Sequence, residues 1–252
     1  MQSCFPKAFI GLILLVFLSQ ASHSGVPTDD RDWELSDETN GIRVYTRDLD
    51  HSSIRAFRAE VVLDGSLESV MAIMSEPGSC VEWVHQCAES YGLPDGEFNE
   101  RYAYSVNDMP WPVNDRDYVL RIETESEAGG DRIIMNMEAV EDMKPEQNGY
   151  IRINTSYTIY EFERADDGRT RMTWYQHAEP GGSIPNWLVN RLLTDLPVKS
   201  LEKLNELLQQ DSYQDHELVF DDDDQITDVI PPDPDDNPAS VEAREAGHEQ
   251  QE

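Results

Sequence analysis

Basic residues are what this chain most lacks: 19 Lys and Arg stand against 51 Asp and Glu in 252 residues, a formal net charge of −32. So acidic a surface repels phosphate backbones and anionic bilayers. This excludes nucleic acid as a partner and leaves apolar groups to make any membrane contact. Cysteine is scarce too. Of three, Cys4 precedes the first apolar run and cannot be the acylated residue of a lipoprotein, so Cys80 and Cys87 remain. Two thiols are too few for a zinc site unaided. In an oxidising compartment their simplest use is a disulfide with each other, which the spacing alone does not establish. No apolar run reaches the roughly 20 residues that a membrane-spanning helix needs. The run at 8–18 follows one positive charge, Lys7, and precedes small residues. That is the layout of a secretory signal peptide over 1–24, cleaved after Ala21 or Ser24, with an uncleaved anchor as the alternative. The expected location is extracytoplasmic, periplasmic or secreted.

Catalytic signatures are missing as well. The sequence holds no Gly-x-Ser-x-Gly turn, no His-Glu-x-x-His and no Gly-rich phosphate loop. Apart from His51, only His85 and His177 fall inside expected elements. Strand alternation puts His177 with Thr173 and Tyr175, opposite Met172 and Trp174, and a base that faces away from a substrate cannot take its proton. No enzyme activity, cofactor or metal is expected.

From Asp211 onward the chain carries 15 Asp and Glu against Arg244 alone, with DDDD at 221–224 and PPDPDDNP at 231–238. Such a segment cannot bury enough apolar surface to offset its ordering entropy, so 211–252 reads as an acidic disordered tail. Weak cation binding or docking to a basic partner are its functional alternatives. Residues 28–210 remain as one domain, itself carrying a net charge of about −19.

Within that domain the order is strands, two short helices, an antiparallel meander and one long helix, an α+β layout. A hairpin turns at Asn40-Gly41, and a strand covers 54–63. A helix starts after Asp64-Gly65-Ser66 and stops before Pro77, and a short turn covers 78–84. Strands then follow at about 87–93, 98–106, 116–126, 131–140, 149–164 and 170–178. Pro-Gly-Gly at 180–182 leads into a helix over about 183–210, capped by Ser183, with Pro185 in its first turn and a kink expected at Pro197. Ile184, Leu188, Leu192 and Leu196 recur every fourth residue along it, with Trp187 beside them. Alternation groups Tyr118, Leu120 and Ile122; Met135 and Met137; Met172 and Trp174; and Tyr102 and Tyr104, each set on one strand face. Those faces are either ordinary core or the wall of a ligand cavity, which Met and aromatic side chains suit.

PWPVNDRDYV at 110–119 and TRMTWYQHAEPGGSIPNWLVNRLL at 170–193, with GIRVYTR at 41–47 and CVEWVH at 80–85, resemble START domains. These form the lipid-transfer family related to the steroidogenic acute regulatory protein, and the likeness covers about 33–208. The resemblance implies a helix-grip fold, like that of Bet v 1, in which a curved antiparallel sheet grips the C-terminal helix around an apolar tunnel. It implies a lipid or other hydrophobic small molecule as the partner, with transient membrane contact and a monomeric state. A helix-grip enzyme of the cyclase or hydratase type is the alternative. The implied ligand-binding residues are Tyr102, Tyr104, Trp111, Tyr118, Leu120, Ile122, Met135, Met137, Met172, Trp174, Trp187, Leu188, Leu192 and Leu196. Trp111, with Met109 and Val113, is either an apolar lid or a structural turn. Arg116 and Asp117 match the family's Arg-Asp pair and read as a structural ion pair more readily than as a ligand contact. Sterol-type members add a buried Arg and acid; here Ile122 stands six residues after Arg116 and Arg121 faces outward, so the cavity is expected to lack buried charge.

Overall fold

A computed structural model describes residues 25–141 and 143–233. The expected signal segment 1–24 and the end of the acidic tail, 234–252, lie outside the described residues.

Three strands open the domain: β1 (Glu34–Thr39), β2 (Ile42–Leu49) and β3 (Ser52–Leu63). Asn40 and Gly41 both take positive φ at the first turn, the geometry a tight hairpin of this hand requires. Helix α1 (Leu67–Ser75) starts where the Ser66 hydroxyl accepts the Ser69 amide at 3.1 Å, and ends ahead of Pro77. After the single turn α2 (Cys80–Trp83) come β4 (Cys87–Gly92), β5 (Glu100–Asn107), β6 (Arg116–Glu127) and β7 (Arg132–Ala139). The strand expected over 149–164 is two. The Ile151 and Ile153 amides donate to the Asp115 and Asp117 carbonyls, 2.9 Å each, and hold β8 (Ile151–Arg152) parallel to the start of β6. Only then does the chain turn into β9 (Thr155–Arg164), followed by β10 (Thr170–Glu179).

The strands form one sheet in the order β1-β2-β3-β10-β9-β7-β6-β5-β4. The last strand of this sheet, β10, joins the opening meander to the later one, with Trp174 opposite Ala59 on one side and Tyr160 on the other. Helix α3 (Asn186–Leu207) lies against this sheet and α2, completing the helix-grip architecture. Its first helical residue follows Pro185, which occupies the capping position without a side-chain bond; Ser183 is not the cap. The helix continues through Pro197 as one element, and Ser200 Oγ donates to the Leu196 carbonyl at 2.6 Å while accepting the His85 amide at 2.9 Å.

The two halves of α3 are held differently. In the C-terminal half Leu201, Leu204 and Leu207 are buried, and Asn205 and Gln209 bond to the backbone of Asp64 at 2.7 and 2.9 Å. In the N-terminal half only Leu188 and Leu196 are buried among the apolar side chains. One end is anchored to the turn before α1, and the other rests over the sheet as a looser cover.

Residues 211–230 correct the expected tail. After Tyr213, the chain forms a hairpin of β11 (Glu217–Phe220) and β12 (Ile226–Ile230) that packs on α1. Ile226 is fully buried and Tyr213 nearly so, while Leu218, Phe220 and Val229 lean on the same core. The acidic run at 221–224 is the hairpin turn, where Asp221 Oδ1 accepts the amides of Asp223 and Gln225 at 2.9 Å. Average composition concealed the alternating apolar positions on either side of that turn.

Candidate functional site

The concave face of the sheet, α2 and the N-terminal half of α3 enclose a cavity of about 200 Å³. Eight of the expected residues line it: Tyr118, Leu120 and Ile122 from β6, Met135 and Met137 from β7, Trp174 from β10, and Leu192 and Leu196 from α3. Trp174 stands within a ring cluster, with centroids 5.2 Å from Phe57, 5.3 Å from Tyr160 and 6.0 Å from Trp83. Phe57, Trp83 and Tyr160, all on the wall, were not among the expected residues. Trp83 lies in the CVEWVH block, and only the fold shows that α2 turns it inward.

The other expected residues lie elsewhere. Met172 and Leu188 are buried in the core without reaching the cavity. Tyr102 and Tyr104 are on the outer face of β5, because the register sets Ala103 beside Leu120 and Ser105 beside Tyr118, and paired neighbours share a face. Tyr104 is nevertheless buried there, packed with Val106 and Val119, and its hydroxyl donates to Asp117 Oδ2 at 3.1 Å. Burial and that carboxylate push its pKa above the ordinary tyrosine range. Trp111 and Trp187 face solvent, 90% and 53% exposed. Cys80 and Cys87 form a disulfide with Cα atoms 6.0 Å apart, tying α2 to the start of β4; Cys80 lies on the cavity wall.

Charge in the cavity differs from the expectation. Arg116 and Asp117, adjacent on β6, point to opposite faces. Asp117 goes outward to Arg152, whose Nη2 and Nε donate to its two oxygens at 2.8 and 3.1 Å. Arg116 goes inward. It is 1% exposed, lines the cavity and forms no ion pair among the described residues. Its Nε donates to the Pro180 carbonyl at 3.2 Å, its Nη2 to Gly181 at 3.1 Å and its Nη1 to Asn114. Burial lowers its pKa from the usual guanidinium value, with Asp115 opposing the shift. Arg121 does face outward, toward Glu123 and Glu138. The cavity thus holds a buried cation after all, at a position where sequence pairing suggested a local ion pair.

Arg116 belongs to a polar end. The C-terminal ends of β5 and β10 and the N-terminal ends of β3, β6 and β9 meet there, contributing Ser105, Asn107, Tyr118, Ser156 and Gln176 to the wall. Tyr118 donates to Asn107 Oδ1 at 3.3 Å, and burial pushes its pKa up to about 12. Farther along the strands the wall is Met74, Ala103, Ile122, Met135 and Tyr160. His177 pairs with Tyr157 in the register, on the outer strand face of Tyr175 as alternation expects, and its side chain is nevertheless buried, beyond the point where β10 stops pairing with β3 at Gln176–Phe57.

Comparison with known proteins agrees with this geometry. The family model for the START domain matches residues 18–212. An uncharacterised protein of Pseudomonas aeruginosa is 34% identical over 174 residues, covering 69% of this chain and 85% of that protein. The phosphatidylcholine transfer protein of Bos taurus is 26% identical over 162 residues, 63% of this chain and 75% of its own length. Among solved structures, a STAR-related lipid transfer protein fragment from Xanthomonas axonopodis superimposes with a TM-score of 0.65 at 33% identity, covering 71% of this chain and 99% of that one. Human StAR-related lipid transfer protein 5 shares the fold at 19% identity, with a TM-score of 0.65 over 73% of this chain and 89% of that one.

Proposed function

This chain belongs to the START domain family, and from that premise we propose that it binds a lipid in the cavity under α3 and transfers it between membranes without chemical change. The observation that carries this reading is the cavity itself, walled by Met and aromatic side chains and covered by the loosely held half of α3. Each methylene that leaves water for such a wall gains about 0.8 kcal/mol, so roughly ten of them supply a micromolar-scale driving force before ordering costs. The cavity of about 200 Å³ is below the ~300–1,000 Å³ typical of small-molecule sites. Entry therefore requires the cover to move, and the N-terminal half of α3 with the 108–115 loop is the part least held by the core. Two relatives bear transfer in their names, for phosphatidylcholine and for lipid. We read this protein as non-catalytic in the same way. It would work as a monomer outside the cytoplasm, after loss of residues 1–24, touching a bilayer through apolar side chains.

Protein purified natively and extracted into organic solvent should release a lipid detectable by mass spectrometry, and should move labelled lipid between vesicles. Absence of both would overturn the reading.

A further inference from the structure

We propose that the ligand is an anionic amphiphile whose head, a phosphate or carboxylate, seats against the Arg116 guanidinium at the polar end of the cavity, its chain running toward Ile122 and Met135. This deepens the lipid-binding reading and rests on it. A guanidinium offers five N–H donors. Three of Arg116's go to the carbonyls of Asn114, Pro180 and Gly181, which leaves one on each Nη. A buried cation is normally matched by a carboxylate, since desolvation is otherwise uncompensated. The two acids beside Arg116 in sequence do not pair with it. Asp117 is on the opposite face with Arg152, and Asp115 Oδ1 accepts the Met109 amide at 2.8 Å. In a chain with more than twice as many acids as bases, the Arg116 guanidinium on the cavity wall forms no ion pair among the described residues. Carbonyl oxygens orient the group without neutralising it. An anionic oxygen arriving from the cavity side completes it and adds charge-assisted hydrogen bonds. The rest of that end suits such a head. Asn107 lies beside Arg116 in the β5–β6 register, and Tyr118 is hydrogen-bonded to it. Farther along the strands the wall is mostly apolar, with Ile122 and Met135 to meet a chain.

The probes are dodecyl phosphate, dodecanol and inorganic phosphate, titrated calorimetrically into the delipidated full-length protein. The wild type should bind dodecyl phosphate roughly tenfold or more tightly than dodecanol, the worth of a charge-assisted bond. Inorganic phosphate should bind far more weakly than either. In Arg116→Gln the preference should fall to near one while dodecanol binding is kept. Should loss of the carbonyl contacts prevent that variant from folding, Asn107→Asp supplies a carboxylate beside Arg116, keeps an acceptor for Tyr118, and should abolish the preference in the same way. No preference in the wild type, a preference that survives in the folded variant, or phosphate alone binding as tightly as dodecyl phosphate would each overturn the proposal. Failure of both amphiphiles to bind the wild type would instead overturn the lipid-binding reading beneath it.

Discussion

His177 is the buried titratable group whose state should be felt by the whole fold. Its ring packs edge-on to His51 at 5.8 Å, and Nε2 stands 3.4 Å from Glu179 Oε1, longer than a good hydrogen bond. Among the described residues neither ring nitrogen has a well-formed hydrogen-bond partner. Burial lowers its pKa, with Glu179 and the Arg55 backbone opposing the shift and His51 adding to it. The folded state therefore binds this proton less readily than the unfolded chain. In the window from the unfolded value near 6.5 down through the folded value, the unfolded state holds more protons, so stability falls as pH falls. His85, also lowered by burial and by Lys199 and Lys203, acts in the same sense. Urea midpoints should drop between pH 7 and pH 5, and His177→Gln should flatten part of that slope. An unchanged slope in the variant would show that His177 does not carry it. Gly130 poses a steric case: at φ +92°, an added Cβ would stand 2.6 Å from the Phe220 ring. Gly130→Ala should cost about 1–3 kcal/mol by strain and overpacking, read as a lower thermal midpoint.

Phe220 belongs to the β11–β12 hairpin, which is the element that most changes the domain's extent. Its anchor is Ile226, fully buried, while Ser126 Oγ donates to the Asp224 carbonyl at 2.6 Å and accepts the Ile226 amide at 2.9 Å. Ile226→Ala should therefore destabilise the domain by about 2–4 kcal/mol, and a chain ending at 212 should show a lower urea midpoint; an unchanged midpoint in both would make the hairpin an ornament. The Cys80–Cys87 disulfide closes a short loop between α2 and β4. Replacing both cysteines by Ala should cost roughly 2–3 kcal/mol through the unfolded state, with reductant producing the same shift in the wild type only. What could be read from sequence follows the same lines. On β6, β7 and β10 the inner face runs largely apolar, and Leu120, Met135 and Trp174 fell where alternation put them. On β5 it failed because both faces are covered. Tyr104 on the outside is shielded by Tyr91, centroids 5.3 Å apart, and by Lys144 at 4.6 Å, so the larger side chains pointed away from the cavity and Ala103 and Ser105 toward it. The ion pair expected between Arg116 and Asp117 fails for a related reason: successive residues on a strand face opposite ways, so the adjacent Asp117 could never be its partner.

At the scale of the molecule, one end of the domain is closed and the other is equipped to open. The β11–β12 hairpin and the C-terminal half of α3 bury their apolar residues against α1 and β3. At the opposite end Arg116 ties the 108–115 loop to the turn before α3, through Asn114 on one side and Pro180 and Gly181 on the other. Trp111 and Trp187 flank that tie in sequence, and both are exposed. An indole on a loop tip is a costly thing to leave in water, and it partitions into the headgroup boundary of a bilayer. The chain's net charge of −32 opposes approach to an anionic surface, so contact should depend on these rings and on screening. Trp111→Ala should slow lipid transfer between neutral vesicles roughly tenfold, the worth of one buried aromatic side chain, while leaving the thermal midpoint unchanged, because the ring touches no core. With anionic donor vesicles the wild type should transfer more slowly at low salt and recover toward the neutral rate near 0.15 M salt, where the screening length falls to about 8 Å. Transfer that is indifferent to Trp111 and to salt would place the portal elsewhere, since no route past the Arg116 tie could then be limiting.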